Sequence, residues 1–327
     1  MNHLHSVNNT TLPELYNDTD LKTVIVYEAA IATVLTICVI SSCLFNIIII
    51  IVFMRFKCLR TKHDMLVINL AFTNLIITVG ISFYSTYTIE PGDIFHQKVV
   101  CMGLFICIFG GILTSLLVLL LLSLERFLCI VYPHFHGRIR IRHVILCSIL
   151  AYLVGLSYTI IPFILKNNWD RYHLCVLDVF PFEFSIAEQV CGIVIITTIV
   201  TINVIVYKTA LSQAAKINVL LKNVQHRHTR SRKLRQKGKA FVTVFLLSGI
   251  SAVCWIPLLV VFALESDSNL PEKFRWIFTQ LLYVPVALNS SVTAIIIGHR
   301  NRHFRDAIKS MYCKKQHECI HNSTFAF

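Results

Sequence analysis

Long apolar runs separated by short polar segments dominate the chain. A membrane-spanning helix needs about 20 mostly apolar residues. Seven runs reach that length, at residues 25–54, 65–89, 99–124, 143–165, 186–207, 240–264 and 276–298. Neither a Gly/Ser linker nor an internal repeat separates them. The pattern therefore predicts an all-α membrane protein, in which seven transmembrane helices form one bundle.

Lysine and arginine are unevenly distributed among the polar segments. If the amino terminus lies outside the cell, the inner loops and tail carry 23 of the 30 basic residues and the outer segments carry six. Basic residues concentrate in cytoplasmic loops, so this bias predicts an extracellular amino terminus in the cell membrane. The formal net charge of +13 then reflects topology and contact with anionic membrane lipid, not nucleic-acid binding.

The amino-terminal tail and the cysteines fit this orientation. Residues 1–23 are polar and lack the apolar core of a cleaved signal peptide. The tail contains glycosylation sequons at Asn8, Asn9 and Asn17. Of the twelve cysteines, only Cys101 and Cys175 fall on the predicted outer face, where thiols become oxidised. We therefore expect a disulfide between these two cysteines.

The stretch SLERFLCIVYP, residues 123–133, places Glu125 and Arg126 directly after an apolar run. An ionisable group at the centre of a bilayer costs at least about 3 kcal/mol, so such a residue suggests a function. The simpler interpretation is that the pair marks the point where the helix meets water. This stretch by itself leaves both interpretations open.

The whole pattern resembles the rhodopsin-like (class A) G-protein-coupled receptors over residues 25 to 313. Cys101 lies 25 residues before Arg126, which is the spacing of that family. The family motifs that have counterparts are Asp/Glu-Arg-Tyr at Glu125, Arg126 and Phe127, the first-helix asparagine at Asn46, Asn-Leu-Ala-x-x-Asp at 69–74, and Cys-Trp-x-Pro at 254–257. Residues 299–308, HRNRHFRDAI, resemble the short amphipathic eighth helix, with Phe304 as its membrane-facing anchor.

The resemblance implies a receptor that binds an extracellular ligand and signals to heterotrimeric G proteins, and not an enzyme. In that family the arginine at Arg126 engages the G protein, Glu125 is its partial counter-charge, and the tyrosine at Tyr207 supports it. Trp255 would lie at the floor of the ligand pocket. Pro257 would kink its helix and act as a hinge, because proline lacks an amide hydrogen.

Several positions depart from the family pattern. Thr293, Ala294 and Ile297 stand where the seventh helix usually carries asparagine, proline and tyrosine. Asn74 replaces the aspartate that binds sodium together with Ser115, so we expect a weak or absent sodium site. These changes leave open a receptor-fold protein that binds ligand without G-protein signalling. A transporter is less favoured, because the span interiors hold almost no charge and no repeat is present.

The predicted ligand pocket is mostly apolar. Ile108 occupies the position at which amine receptors keep an aspartate, so we expect a peptide or an apolar small molecule. Glu183, Glu188 and Glu265, near the outer rim, could attract a cationic group. The lining is predicted to contain Tyr84, Tyr87, Phe105, Ile108, Phe109, Ile112, Trp255, Leu258, Leu259, Phe262 and Tyr283. Each aromatic ring could instead be packing, and no cofactor or metal-binding spacing is found.

The chain divides into an extracellular tail (1–23), the bundle (24–298), the amphipathic helix (299–312) and a cytoplasmic tail (313–327). The basic run 225–239 is expected to contact anionic lipid or the G protein, with Thr229 and Ser231 as possible kinase targets. Lys237 falls where many receptors of this family have an acidic residue that pairs with the third-helix arginine. Cys313 is a predicted palmitoylation site.

Overall fold

The computed structural model describes residues 18–56, 61–89, 97–172, 175, 179, 182–221, 246, 249–255, 257, 272–300 and 302–312. Several predicted features lie outside the described residues: Asn8, Asn9, Asn17, Thr229, Ser231, Lys237, Leu258, Leu259, Phe262, Glu265 and Cys313. The backbone of Tyr87 is described, but its side chain is not.

The described residues form a set of helices joined by short connections. They are α1 (Asp18–Arg55), α2 (Lys62–Ile89), α3 (Lys98–Val131), α4 (Pro133–Arg138), α5 (Ile141–Leu165), α6 (Trp169–Tyr172), α7 (Phe182–Leu221), α8 (Glu272–Arg300) and α9 (Arg302–Tyr312). Residues 249–255, from the predicted sixth span, are also helical.

Five of the described helices are long and apolar enough to cross a membrane: α1, α2, α3, α5 and α7. In α8, the part whose side chains the structure describes, Tyr283–His299, is also apolar. Helices suit such sequences because every backbone N–H and C=O must be satisfied within the segment where no water is available. The all-helical bundle predicted from the apolar runs is therefore confirmed across the described part of the chain.

Helix α3 lies at the centre of the bundle. In its most apolar stretch 72% of the residues are buried, against 28% in α5 and 22% in α7, whose outer faces are apolar and exposed. It packs against α2, α5 and α7, while α1 packs against α2 and α8. Residues on α3 therefore reach several neighbouring helices, which suits it to carry the functional positions.

Glycines allow α3 to approach its neighbours closely. A Cβ atom placed on Gly155 of α5 would lie 2.9 Å from the backbone nitrogen of Thr114 and 3.0 Å from its Cα. On α2, a Cβ atom at Gly80 would lie 2.6 Å from Cγ1 of Ile108. Membrane helices commonly pack through small residues, because lipid provides no hydrophobic force between them. These glycines therefore set how closely α2 and α5 approach the central helix.

A π-helical turn interrupts α3 at Ile106–Gly110. One extra residue in a turn rotates the side chains that follow, and such turns often occur at functional sites. The turn contains Ile108 and Phe109, both predicted to line the ligand pocket and both buried. Gly110, at its end, lies where a Cβ atom would meet Leu156 and Thr159 at 3.2 Å.

The prediction that Phe304 of α9 faces the membrane is wrong. Its side chain is only 2% exposed, and its ring centroid lies 5.8 Å from that of Phe53 on α1. A Cβ atom on Gly298 would lie 3.4 Å from the Phe304 ring, so this residue of α8 packs next to the ring. The aromatic contact between Phe304 and Phe53 therefore fixes α9 to the end of α1.

Helix α8 continues without interruption through residues 293–297, where the family pattern has its proline. Thr293, Ala294 and Ile297 are all buried in the bundle. The helix does contain a proline, Pro285, about two turns earlier. A helix-interior proline removes one backbone hydrogen bond and bends the helix. The proline of α8 thus lies about two turns before the position that the resemblance implies.

Candidate functional site

The two ends of the bundle carry different features. At one end, which we call the disulfide end, a disulfide joins Cys101 at the start of α3 to Cys175, as expected from the sequence. At the other end, which we call the arginine end, α3 carries Glu125 and Arg126 close to its final turn. The disulfide links the central helix to the segment between α6 and α7.

Glu125 is the centre of the arginine end. Its Oε1 lies 3.0 Å from Nε2 of His136, which is a hydrogen bond. Its Oε2 lies 3.4 Å from Nε of Arg126 and 3.6 Å from Nδ1 of His63, both ion-pair distances without hydrogen-bond geometry. The Glu125 side chain is 10% exposed and that of Arg126 is 15% exposed. One largely buried carboxylate is therefore shared among three basic side chains.

Two local structures bring the histidines to this carboxylate. At the start of α2, the hydroxyl of Thr61 donates to Asp64, and the Asp64 backbone N–H donates back to that hydroxyl at 3.2 Å. Such a reciprocal cap fixes the first helical turn, which contains His63. Helix α4 begins at Pro133, a favoured first residue, and carries His136. The ammonium of Lys62 then donates to the backbone oxygen of His136 at 2.7 Å.

Neither histidine was predicted to belong to the site. His63 and His136 lie in polar segments between different spans, and 73 residues separate them in the chain. The available signal was that both segments connect to the helices flanking α3 at the same predicted membrane face. From that signal one can predict that both histidines lie near Arg126. One cannot predict that they contact Glu125.

Two other residues assigned to the arginine end are Phe127 on α3 and Tyr207 on α7. The Phe127 ring packs edge-on against Tyr132, at a centroid distance of 5.7 Å, where α3 turns into α4. The Tyr207 side chain on α7 is 48% exposed. On the same helix, the Gln213 amide donates to the backbone oxygen of Ile130 at 3.1 Å, joining the ends of α7 and α3.

A buried polar cluster joins α1, α2 and α8 in the middle of the bundle. The Asn46 side chain donates to the backbone oxygen of Ser42 at 2.8 Å and to that of Ser290 at 3.4 Å. It accepts a hydrogen bond of 3.3 Å from the Asn74 amide. The Ser42 and Thr78 hydroxyls are 2.7 Å apart. Amide and hydroxyl groups therefore hold these three helices together.

This cluster includes the positions that would bind sodium in the family. Asn74 is 1% exposed, and its Oδ1 has no hydrogen-bond partner among the described residues. Ser115 and Thr293 are equally buried. Within the part of the chain that the structure describes, no group of three His, Cys, Asp or Glu side chains is placed to hold a metal ion.

Trp255 and Pro257 lie in the described part of the sixth span. Trp255 is 5% exposed, and its indole nitrogen has no hydrogen-bond partner among the described residues. One turn earlier, the Ser251 hydroxyl donates to Oδ1 of Asn289 on α8 at 2.9 Å. The sixth span is therefore fixed to α8 by a buried hydrogen bond below the tryptophan.

The predicted ligand-lining residues fall into two aromatic groups. Tyr84 on α2 and Tyr283 on α8 pack with ring centroids 4.0 Å apart. Phe105 on α3 packs instead against Phe109, at 5.9 Å, and against Phe163 on α5, at 6.2 Å. Phe105 is fully buried in this second group. The remaining described members, Ile108 and Ile112, are buried on α3.

Glu188 near the disulfide end differs from the other acidic residues there. Its Oε1 is buried and has no hydrogen-bond partner among the described residues. It lies on α7 one turn before Gly192, where a Cβ atom would lie 3.8 Å from Leu116 of α3. Glu183, by contrast, is 70% exposed and lies 3.6 Å from the ammonium of Lys166.

These features together define a helical membrane receptor, with a disulfide at one end and a buried Glu-Arg pair at the other. The chain belongs to the rhodopsin family of seven-transmembrane receptors, because that family's model matches residues 45–295. Receptors of this family are not enzymes and signal through G proteins from the membrane. That membership establishes the class of this protein and excludes a transporter.

Known relatives are similar at low identity. The chain is 26% identical to melatonin receptor type 1B-B of Danio rerio over 293 residues, which are 85% of this chain and 80% of the relative. It is 24% identical to neuropeptide Y receptor type 2 of Mus musculus over 340 residues, 95% of this chain and 82% of the relative. Relaxin receptor 2 of Homo sapiens is 25% identical over 63% of this chain, which corresponds to only 27% of that longer protein.

Proposed function

We propose that this receptor binds an extracellular peptide or apolar small molecule at the disulfide end and couples to a G protein at the arginine end. The proposal places the amino terminus outside the cell, in agreement with the distribution of lysine and arginine. The G-protein surface would contain Glu125, Arg126, Phe127 and Tyr207. Asn46, Asn74, Ser115, Trp255, Pro257 and Thr293 would form the switch between the two ends.

The pairing of Arg126 with Glu125 carries this proposal. Arg126 lies near the end of the most buried helix, and its guanidinium is held at 3.4 Å from a carboxylate that two histidines also contact. A buried charge pair is costly unless its partners compensate it, so it is weak evidence for stability alone. The arrangement would have a function if the Arg126 guanidinium left Glu125 and bound the G protein.

The residues of the disulfide end support the proposed ligand class. Tyr84 and Tyr283 form a closely packed aromatic pair, and Ile108 offers no charge to an amine. The names of the relatives include receptors for melatonin, for neuropeptide Y and for octopamine. We propose that Glu188, whose buried Oε1 has no described partner, contacts a basic group on such a ligand.

The remaining segments are assigned by sequence alone. The tail 1–23 would carry glycans at Asn8, Asn9 and Asn17. The basic run 225–239 would contact anionic lipid and the G protein. Helix α9 would end at a palmitoylated Cys313, which would add a lipid anchor to the aromatic contact at Phe304.

The coupling proposal is tested with biosensors for several G-protein classes in cells that express the receptor. Basal and ligand-stimulated signals are compared between wild type and Arg126→Ala at matched surface expression. Arg138→Ala is the control, because Arg138 is an exposed arginine on α4 at the same end. We expect loss of the signal in Arg126→Ala alone. Signals equal to wild type in Arg126→Ala would contradict the proposal and favour a receptor that binds without signalling.

The ligand proposal is tested by screening neutral and basic peptides and apolar small molecules. Glu188→Gln keeps the size of the side chain and replaces its carboxyl group by an amide, and Glu183→Gln makes the same change at an exposed position. A basic ligand should lose roughly tenfold or more in potency on Glu188→Gln, since one charged contact contributes about 1.5–3 kcal/mol. Equal potency on both variants would exclude contact with Glu188.

A further inference from the structure

The described part of the sixth span buries two side chains in the bundle. Of residues 249–255, only Ser251 and Trp255 are buried, and they lie one turn apart on the same helix face. Two residues from Ser251, a Cβ atom on Gly249 would meet nothing within 4 Å, and Val253 is 65% exposed. At the level of Ser251, the described part of the span therefore buries a hydroxyl and little apolar surface.

A hydrogen bond holds the span at this level. The Ser251 hydroxyl donates to Oδ1 of Asn289 on α8 at 2.9 Å, and both side chains are buried. Apolar side chains can slide past one another and remain in contact, whereas a hydrogen bond weakens steeply as its length and angle change. The contact between the sixth span and α8 is therefore one that is either made or lost.

Helix α8 is held more firmly on its other side. The Ser291 hydroxyl donates to the backbone oxygen of Cys38 on α1 at 2.8 Å and accepts from Ser41 at 3.0 Å. The backbone oxygen of Ser290 also accepts from Asn46 of α1. Toward the described part of the sixth span, α8 makes a single side-chain hydrogen bond. The sixth span can therefore leave α8 without disturbing the polar cluster that joins α8 to α1.

Pro257 provides a point at which the sixth span can bend close to this hydrogen bond. Proline lacks the amide hydrogen that would complete the helical ladder. Ser251 precedes Pro257 by six residues, which corresponds to about 9 Å along a helix. A change of ~20° in the bend would move Ser251 by roughly 3 Å, so its hydroxyl would no longer reach Asn289.

We propose that Ser251 and Asn289 are positioning residues whose hydrogen bond holds the sixth span against α8 in the uncoupled receptor and breaks when the receptor couples. Neither side chain needs to contact the ligand or the G protein, because both act through the position of the span. Loss of the bond destabilises the uncoupled state and so raises coupling without ligand. This inference rests on the proposed coupling at the arginine end.

The test uses the full-length receptor in lipid nanodiscs with purified G proteins of several classes. Nucleotide exchange is measured without ligand, and the Arg126→Ala signal is subtracted. Ser251→Ala and Asn289→Ala should each raise exchange roughly three- to twentyfold, the range expected for one side-chain hydrogen bond between membrane helices. The Ser251→Ala/Asn289→Ala double variant should rise no further than the stronger single variant, because both substitutions remove the same bond.

Ser290→Ala is the matched control. Ser290 is the neighbour of Asn289 on α8 and is also buried, and its Oγ has no hydrogen-bond partner among the described residues. This variant should keep the wild-type level of exchange. Where wild type shows exchange that depends on Arg126, the proposal is overturned by unchanged or lower exchange in both single variants. Effects that multiply in the double variant would also overturn it.

A second measurement does not depend on a G protein. The chain has three tryptophans, so 5-fluorotryptophan gives three ¹⁹F resonances, and Trp255→Phe identifies that of Trp255. Since Trp255 lies one turn after Ser251, its resonance should shift in the same direction in Ser251→Ala and Asn289→Ala and should stay in place in Ser290→Ala. If it does so but no exchange is detected, the coupling proposal fails while the positioning role stands. A Trp255 resonance that keeps its wild-type position in Asn289→Ala would overturn the inference.

Discussion

Substitution of Gly155 by alanine tests the close contact between α5 and the central helix. The new Cβ atom would overlap the Thr114 hydroxyl and would lie 2.9 and 3.0 Å from two backbone atoms of Thr114. Backbone atoms cannot rotate away as a side-chain end can, so the two helices must separate. Forcing an extra methyl group into a packed interior costs about 1–3 kcal/mol. Alanine also favours a helix over glycine by up to about 1 kcal/mol, which opposes this cost.

A second glycine separates these two effects. At Gly103, on α3, a Cβ atom would meet nothing within 4 Å, so Gly103→Ala gains helix propensity without a clash. We expect Gly155→Ala to unfold at a temperature roughly 2–12 °C below Gly103→Ala, at about 2–4 °C per kcal/mol. The assay is thermal unfolding in detergent, followed with a thiol-reactive dye that labels buried cysteines such as Cys38 as they become accessible.

Truncation of Thr114 gives a further check on this reasoning. If backbone atoms limit the approach, Thr114→Ala will not restore the stability of Gly155→Ala. Recovery in the double variant would show that the threonine side chain alone caused the clash. Equal unfolding temperatures for Gly155→Ala and Gly103→Ala would refute the close contact itself.

Three further outcomes are expected. Mass spectrometry of non-reduced peptides should find Cys101 linked to Cys175, and free thiols at both positions in surface-expressed receptor would contradict this. Replacing potassium by sodium at constant ionic strength should hardly change ligand affinity, because Asn74 supplies no carboxylate, whereas Asn74→Asp should introduce a sodium-specific shift. Lys237→Glu should lower basal G-protein signalling at matched surface expression, because a glutamate there could pair with Arg126; unchanged basal signalling would argue against that pairing.

Much of the fold could be predicted from the apolar runs, because lipid leaves few alternatives to long helices. The residues at which these helices end are harder to predict from the sequence. Helix α7 continues to Leu221, although its predicted apolar run ends at residue 207. A helix that extends beyond the membrane into water has no need of apolar residues, so the hydropathy pattern stops before the helix does.

The candidate site was only partly predictable. Glu125 and Arg126 are recognisable because charges directly after an apolar run are unusual. The contacts of His63 and His136 depend on how the starts of α2 and α4 are capped and tilted, which neighbouring residues alone do not reveal. Phe304 shows the same limit, since an apolar residue on an amphipathic helix can face lipid or protein. The position of Phe53, about 250 residues earlier, decides between them.

The hydrogen bond from Asn46 to Ser290 has a consequence for biosynthesis. Its two partners are 244 residues apart, so α1 enters the membrane long before α8 has been translated. During that time the Asn46 amide lacks its acceptor on α8, and the groove that later holds α8 is open to lipid or to a membrane chaperone. Chains that terminate before Ser290 would keep this polar surface exposed within the bilayer. Cellular quality control could thus distinguish an unfinished receptor from a complete one by its first helix.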